Sequence, residues 1–380
     1  MKWSVRPLDE VADFCLGKML DEKKNRGEPL PYLANINVRW GEFDLENLRE
    51  MRFEYDEMDR YGLKYGDIVM CEGGEPGRCA IWKDSVPGMM IQKALHRIRP
   101  YGCLDHRFLF YSFLHKGKIG GFAALLTGGT IKHLPREKLA QVEVAFPELE
   151  LQRRIADILS AYDNLIENNR RRMELLEEAA RQLYREWFVR LRFPGREHTR
   201  MINGVPVGWR SEKVRNVLAK IEGKKKIPKE SYLLEGRIPC IDQSAEFIGG
   251  FTDDEDAVYV QPLPIIVFGD HTRILKFVNF PFARGADGTQ MIYPNTEQIS
   301  TEFLYFALKE LDLSNYFYAR HFKFLKEQEV FFPETTLVRE FTTIARPCFE
   351  QIQTLRVQNQ KLRAARDLLL PRLMRAEIAV

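Results

Sequence analysis

The sequence predicts a mixed α/β (α+β) fold: two globular domains joined by two long antiparallel helices in a pseudo-twofold arrangement. Three observations carry this prediction. The stretch Leu151–Phe188 contains no Gly and no Pro. It sets apolar or seam residues at Leu151, Ile155, Ile158, Tyr162, Ile166, Asn169, Met173, Leu176, Ala180, Leu183 and Trp187. Steps of three and four residues mark one face of an α-helix, and at about 1.5 Å per residue the rod is on the order of 55 Å long. The second observation is an internal repeat: Trp3, Leu8 and Val11 answer to Trp209, Val214 and Val217, all 206 residues apart. The third is a second stripe, 186 residues after the first, at Leu337, Phe341, Ile344, Cys348, Ile352, Leu355, Asn359, Leu362, Arg366, Leu369 and Leu373.

Length and composition set the bounds. A chain of 380 residues has room for about two domains, each with a core of its own. A net charge of +3 and a pI near 8.4 neither demand nor exclude a polyanionic partner. The six cysteines form no CxxC pair, so neither a zinc ribbon nor a disulfide framework is expected, and the thiols should be reduced and mostly buried. With no apolar signal core and no run of about 18 apolar residues, the expectation is a soluble cytoplasmic protein with no membrane contact.

In chain order, residues 1–146 read as the first mixed α/β domain. Gly66–Gly74 is a buried strand running into a glycine turn, Lys93–Pro100 an alternating strand, His106–Leu114 a helix, and Val142–Pro147 a short strand. Residues 147–193 form the first long helical region and 194–208, with its Pro, Gly and polar content, a linker. Residues 209–332 repeat the first domain. Pro262–Asp270 resembles the buried strand, Phe303–Phe306 answers to Phe108–Tyr111, Lys323 to Lys132, and Glu329–Pro333 to Glu143–Pro147. Residues 333–380 form the second long helical region. The offset shrinks from 206 to 186 within the globular part and holds through the helix, as when loops accept insertions and a packed rod does not. Four-residue steps around Tyr162–Ile166 and Asn169–Met173 break a strict heptad and predict a straight seam. Asn169 and Asn359 are polar seam residues that fix register. The helix-pair and partner-facing set is Ile155, Ile158, Tyr162, Asn169, Leu176, Leu183, Trp187, Phe341, Ile344, Ile352, Asn359, Leu362 and Leu369. Pro347 predicts a kink, and Pro371 an end or bend.

Signals for catalysis are mostly absent. There is no phosphate loop, no GxGxxG after a strand, no HExxH and no GxSxG elbow. No Pro-Pro dipeptide occurs, so the loop expected of an amino-methyltransferase is missing. Asp21-Glu22-Lys23 has the acid-x-Lys spacing of a nuclease metal site, but such triplets arise readily in so charged a chain and read better as a solvated loop. His96, His106, His115 and His133 show no metal spacing. No catalytic residue and no metal ligand are assigned.

What remains points to a polyanion. Each half carries a polar loop with basic groups: Thr127, Gly129, Thr130, Lys132 and His133 in the first, His321 and Lys323 in the second. Glycines let backbone N–H groups approach a phosphate, and Thr and Lys add charge-assisted bonds. Gly73, Arg78, Gln92 and Lys93, and then Arg284, Asp287 and Gln290, supply side chains of the types that read base edges. Lys225 marks a further basic spot.

These residues resemble a known family, the specificity (S) subunit of type I restriction–modification systems, over the whole chain. The segments from Phe146 to Phe188, Val205 to Trp209 and Phe331 to Ile378 resemble the helical regions of that family and their flanks. Residues 128–134 and 285–294 resemble recurrent loops of its target-recognition domains. The resemblance implies that each recognition domain reads one half of a bipartite target in double-stranded DNA. It implies that the helices set the spacer and dock two modification (methyltransferase) subunits, with motor–nuclease restriction subunits joining them. On this reading the chain is non-catalytic and binds no cofactor itself; S-adenosylmethionine, ATP and Mg²⁺ belong to the partner subunits. Two other classes compete: a helical scaffold that binds no DNA, and a stand-alone nuclease or methyltransferase, supported only by Asp21-Glu22-Lys23.

Overall fold

The computed structural model describes residues 3–21, 25–314, 320–378 and 380. Glu22 and Lys23 of the acid-x-Lys triplet lie outside the described residues. The chain divides into two compact units, Met1–Glu167 with Asn359–Val380, and Asn168–Gln358. Each unit therefore takes part of both long helices.

In the first unit the strands Ala12–Leu16, Leu95–Pro100, Ile68–Cys71 and Cys79–Ile81 form an antiparallel sheet in that order. Ile68–Cys71 is buried at all four positions, as a continuous apolar run in a sheet covered on both faces should be. Leu95–Pro100 is not half-exposed as its polar residues predict. His96 and Arg97 are buried, His96 Nε2 donating to Leu134 O at 2.8 Å and Arg97 pairing with Asp13 at 2.7 Å. Its polar positions thus mark internal partners, not a solvent face. A second sheet has the order Arg49–Phe53, Glu28–Leu33, Met90–Ile91, the last pair parallel. The helix His106–Lys118 starts where the Asp105 carboxylate accepts from Arg107 N and Phe108 N, and buries Phe108, Leu109, Phe110, Tyr111, Phe113 and Leu114.

The second unit repeats the plan. Ile265–Gly269 lies between Leu275–Val278 and Thr289–Ile292, all antiparallel. The other sheet has the order Gly250–Thr252, Ile238–Ile241, Phe282–Arg284, Val258–Tyr259, again with one parallel pair. The helix Thr301–Lys309 is capped by Ser300 and buries every residue from Thr301 to Leu308. The ends of the two repeats match in register. Ser4 pairs with Phe146 and Arg210 with Phe332, so the offsets of 206 and 186 seen in the sequence are the two strands of one ladder in each unit.

Each globular part leads directly into a long helix. The first spans Leu149–Tyr184, 36 residues, and ends in one wide turn in which Arg190 N donates to Arg185 O at 2.8 Å. The second spans Thr335–Met374, 40 residues. Pro371 does not end it: the residue lies inside the helix, and its carbonyl accepts Arg375 N–H at 3.1 Å. Pro347 is likewise internal. A proline removes one i→i−4 bond, and the bonds on either side carry the helix across.

The helices run antiparallel within each unit. In the first, Arg366 pairs with Asp163, while the earlier Asn359 donates from Nδ2 to the later Ile166 O at 3.2 Å. Leu151, Ile155, Ala156 and Leu159 share a core with Leu370 and Leu373. In the second, Tyr184, Trp187 and Phe188 surround Phe341 at ring distances of 5.9, 6.3 and 5.3 Å. Of the seam residues, Ile155, Asn169, Trp187, Phe341, Ile352 and Asn359 are buried. Ile158, Tyr162, Leu176, Leu183, Leu362 and Leu369 are half-buried. Ile344 is 50% exposed and so lies outside the buried seam of the helix pair, where Ala345 and Phe349 take the buried positions. The face turns that way because the Phe349 ring stacks on Phe277 at 3.9 Å.

Candidate nucleic-acid interface

In the first unit the fully buried inner strand Ile68–Cys71, here called the central strand, ends at Cys71, and Glu72 begins a turn. Glu72 N donates to Ala94 O at 2.8 Å, and Leu134 N donates to Glu72 O at 2.8 Å. Gly73 forms a bridge with His133, whose Nδ1 lies 3.2 Å from Glu72 Oε2. Three sequence-predicted segments, around Gly73, Gln92-Lys93 and Thr127–His133, are thereby brought together. The loop Thr127–His133 closes through reciprocal bonds, Thr127 N to His133 O and His133 N to Thr127 O, both 2.9 Å. Gly128 has φ +94°, and a Cβ there would lie 2.3 Å from Ile131 O, so only glycine fits. Thr127, Gly129, Thr130, Lys132 and Lys93 are exposed; Gln92 and His133 are half-buried and Gly73 is buried. Lys132 Nζ donates to Gly128 O at 3.0 Å. Arg78 is a correction. Its guanidinium donates to Glu75 Oε2 at 2.8 Å and Asn35 O at 2.9 Å, so it braces the turn from inside.

The second unit builds the same rim from different side chains. Asp270 stands where Glu72 stands, directly after the central strand. Its N–H donates to Gly288 O at 2.6 Å, and its carbonyl accepts His321 N–H at 2.9 Å. The carboxylate Oδ1 accepts Phe322 N–H at 2.7 Å, and Gln290 Nε2 lies 3.4 Å from Oδ2. The segments around Asp287–Gln290 and His321–Lys323 thus meet at Asp270. Ile227 N donates to Arg284 O and Ala286 N to Ile227 O, at 3.0 and 2.7 Å, which carries the Lys224–Lys226 segment alongside. Asp287, with φ +54°, and Lys323 are exposed. Lys225 is exposed too and pairs with Asp254 at 2.5 Å.

Two further expectations are corrected here. His321 is 7% exposed, with Nδ1 2.8 Å from Asp270 O, and serves as an internal anchor. Arg284 donates to Thr289 O, and its Nε is buried without a partner among the described residues. Both side chains point into the fold because the rim needs donors for its own carbonyls.

Sequence reasoning missed Glu72 and Asp270. Aligning the two buried strands residue by residue would have put one acid under the other. It also missed Gln243, His271 and Thr272, which no motif announces. Behind the rim, Lys276 is 4% exposed, and burial pushes its ammonium down to about 8 although Asp242, 3.7 Å away, opposes the shift. Burial works against the Asp242 carboxylate, yet bonds from Ser244 and the charge of Lys276 hold it below the usual range.

Among the described residues no group of three or more His, Cys, Asp or Glu is placed to hold a metal ion. No helix among them is long and apolar enough to cross a membrane.

Residues 1–178 match the family described as the type I restriction modification DNA specificity domain. The type I restriction enzyme MjaIX specificity subunit of Methanocaldococcus jannaschii is 24% identical over 409 residues, covering 100% of this chain and 94% of the relative. The MjaVIII specificity subunit of the same organism is 27% identical over 187 residues, 48% of this chain and 44% of the relative. The crystal structure of the type I restriction–modification S subunit from M. genitalium aligns over 98% of this chain and 96% of that one. Its TM-score is 0.55 at 19% identity, a likeness of fold. Residues 1–178 are thus similar to the type I restriction modification DNA specificity domain, and the chain as a whole is similar, end to end, to a type I restriction enzyme specificity subunit.

Proposed function

We propose that the chain reads a bipartite target in double-stranded DNA, one half-site per rim, as the specificity subunit of a type I restriction–modification complex. The observation that carries this reading is the rim built twice. In each unit an acid after the central strand gathers one loop with an exposed Lys (Lys132, Lys323) and a second with polar groups of base-reading type. Positively charged and hydrogen-bonding groups on loops held by a rigid sheet suit phosphate contact and base readout. The recognition domains are residues 1–146 and 209–332, with 147–193 and 333–380 as the helical regions and 194–208 as the linker.

The long helices set the gap between half-sites and dock two modification subunits, which motor–nuclease restriction subunits then join. The chain works in the cytoplasm and performs no chemistry itself; S-adenosylmethionine, ATP and Mg²⁺ serve the partners. A DNA-free scaffold would use the helices alone and would leave the matched rims without a role.

The test is duplex binding by the full chain at two salt concentrations. Phosphate contacts predict binding that weakens by orders of magnitude between ~50 and ~200 mM salt. Salt-independent binding, or none, would favour the scaffold. Removing four residues from each helix, ~6 Å of rise, should shorten the preferred gap and leave both half-sites intact.

A further inference from the structure

Gln243 joins two loops of the second rim. Its Nε2 donates to Asp287 O at 3.2 Å, its Oε1 accepts His271 N–H at 3.1 Å, and its main-chain carbonyl accepts the Thr272 hydroxyl at 2.7 Å. The surroundings leave no slack. A Cβ on Gly288 would lie 2.6 Å from Gln243 Nε2, and one on Gly269 would lie 2.8 Å from Gln243 Cβ. A carboxamide suits this place because it offers a donor and an acceptor in one plane, matched to a carbonyl and an N–H. A carboxylate would lose the bond to Asp287 O; an alanine would lose both side-chain bonds.

The first unit has a carboxamide at the equivalent position. The parallel pairing Leu33 with Ile91 corresponds to Ile241 with Arg284, and Asn35 and Gln243 each lie two residues further on. Asn35 also faces the turn after the central strand. Its main-chain carbonyl accepts from Arg78 Nη2 at 2.9 Å, as that of Gln243 accepts from Thr272. A Cβ on Gly74 would lie 3.0 Å from Asn35 Nδ2. Two units, folded from different loop sequences, thus press an amide side chain against the same turn.

We propose that Asn35 and Gln243 are positioning residues for base recognition, each setting the turn after the central strand and so deciding what its half-site prefers. The inference rests on the DNA-reading function proposed above. Base readout depends on donors and acceptors held within a fraction of an ångström, so the residue that fixes a loop acts on specificity without touching a base.

The experiment selects bound duplexes from a randomised pool with the full chain as wild type, Gln243→Ala, Gln243→Glu and Asn35→Ala, alongside thermal melts. Gln243→Ala should weaken discrimination in one half-site by about tenfold, the scale of one bidentate base contact, and leave the other half-site unchanged. Asn35→Ala removes the amide beside Gly74 but keeps the main-chain bond to Arg78, so it should weaken discrimination in that other half-site by less and leave the first unchanged. Gln243→Glu, which keeps the acceptor for His271 N–H, should fall between wild type and Gln243→Ala in the same half-site, and it carries the test if Gln243→Ala fails to fold. Unchanged half-sites, or both relaxed together with a lowered melting temperature, would overturn the proposal. A wild-type chain that selects no sequence would remove the DNA-reading function and this inference with it. A split target that the Gln243 variants leave intact would remove this inference alone.

Discussion

Replacing Asp270 probes the second rim where its loops converge. The residue is 2% exposed, and its Oδ1 accepts Phe322 N–H at 2.7 Å. A hydrogen bond to a charged acceptor contributes about 1.5–3 kcal/mol, whereas the 3.4 Å approach of Gln290 lies near the limit and adds little. Asp270→Ala leaves the Phe322 N–H without this acceptor and should cost about 2 kcal/mol. For a unit of this size that lowers the melting temperature by about 4–8 °C. Asp270→Asn keeps an acceptor but makes the bond neutral, in the range of about 0.5–1.5 kcal/mol. It should lose about 1 kcal/mol, or about 2–4 °C. Thermal and urea denaturation of the full chain, followed by circular dichroism, reads the series, and duplex binding read in parallel should weaken in the same order. Equal melting of wild type and Asp270→Ala would refute the role given to this carboxylate. Identical losses for Ala and Asn would show that charge and hydrogen bonding are not what it contributes.

Two other perturbations test the packing behind the rims. Phe341→Ala removes a fully buried ring from the aromatic cluster around Tyr184 and should cost about 3–5 kcal/mol, while Ile344→Ala, at a position 50% exposed, should stay within about 0.5 kcal/mol; similar losses in a urea melt would contradict the helix face described above. Lys276 gives a pH signature: its ammonium titrates at about 8 in the folded chain, below its usual 10.5, so the unfolded chain binds more protons between these values and the contribution of Lys276 to stability rises with pH across that window. Urea melts at pH 8, 9 and 10 should show this rise as the difference between wild type and Lys276→Met, and a difference that is flat or falls with pH would remove the assignment.

The fold was legible where the chain repeats itself. The offsets of 206 and 186 correspond to one ladder register seen twice, and the stripes at steps of three and four located both helices. Which residue of a stripe faces inward was less legible. Ile344 outranks Ala345 on apolarity, yet the stacking of Phe349 on Phe277 turns the face toward the alanine. At the candidate site, the loops were legible from Gly, Thr and Lys, but residue type does not say where a charge is used. Arg78, Arg284 and His321 have the chemistry of readers and turn inward to satisfy carbonyls of the rim. Glu72 and Asp270, which gather the loops, look like ordinary turn acids until hydrogen bonds from both sides converge on them.

On the proposed function, this chain reads a DNA target in two separated halves. Genome-wide mapping of methylated bases, in cells with and without the gene, tests it most directly. Methylation should depend on the gene and fall in two short half-sites separated by an unread gap of fixed length. An uninterrupted site, a gap of variable length, or a methylation pattern indifferent to the gene would contradict it.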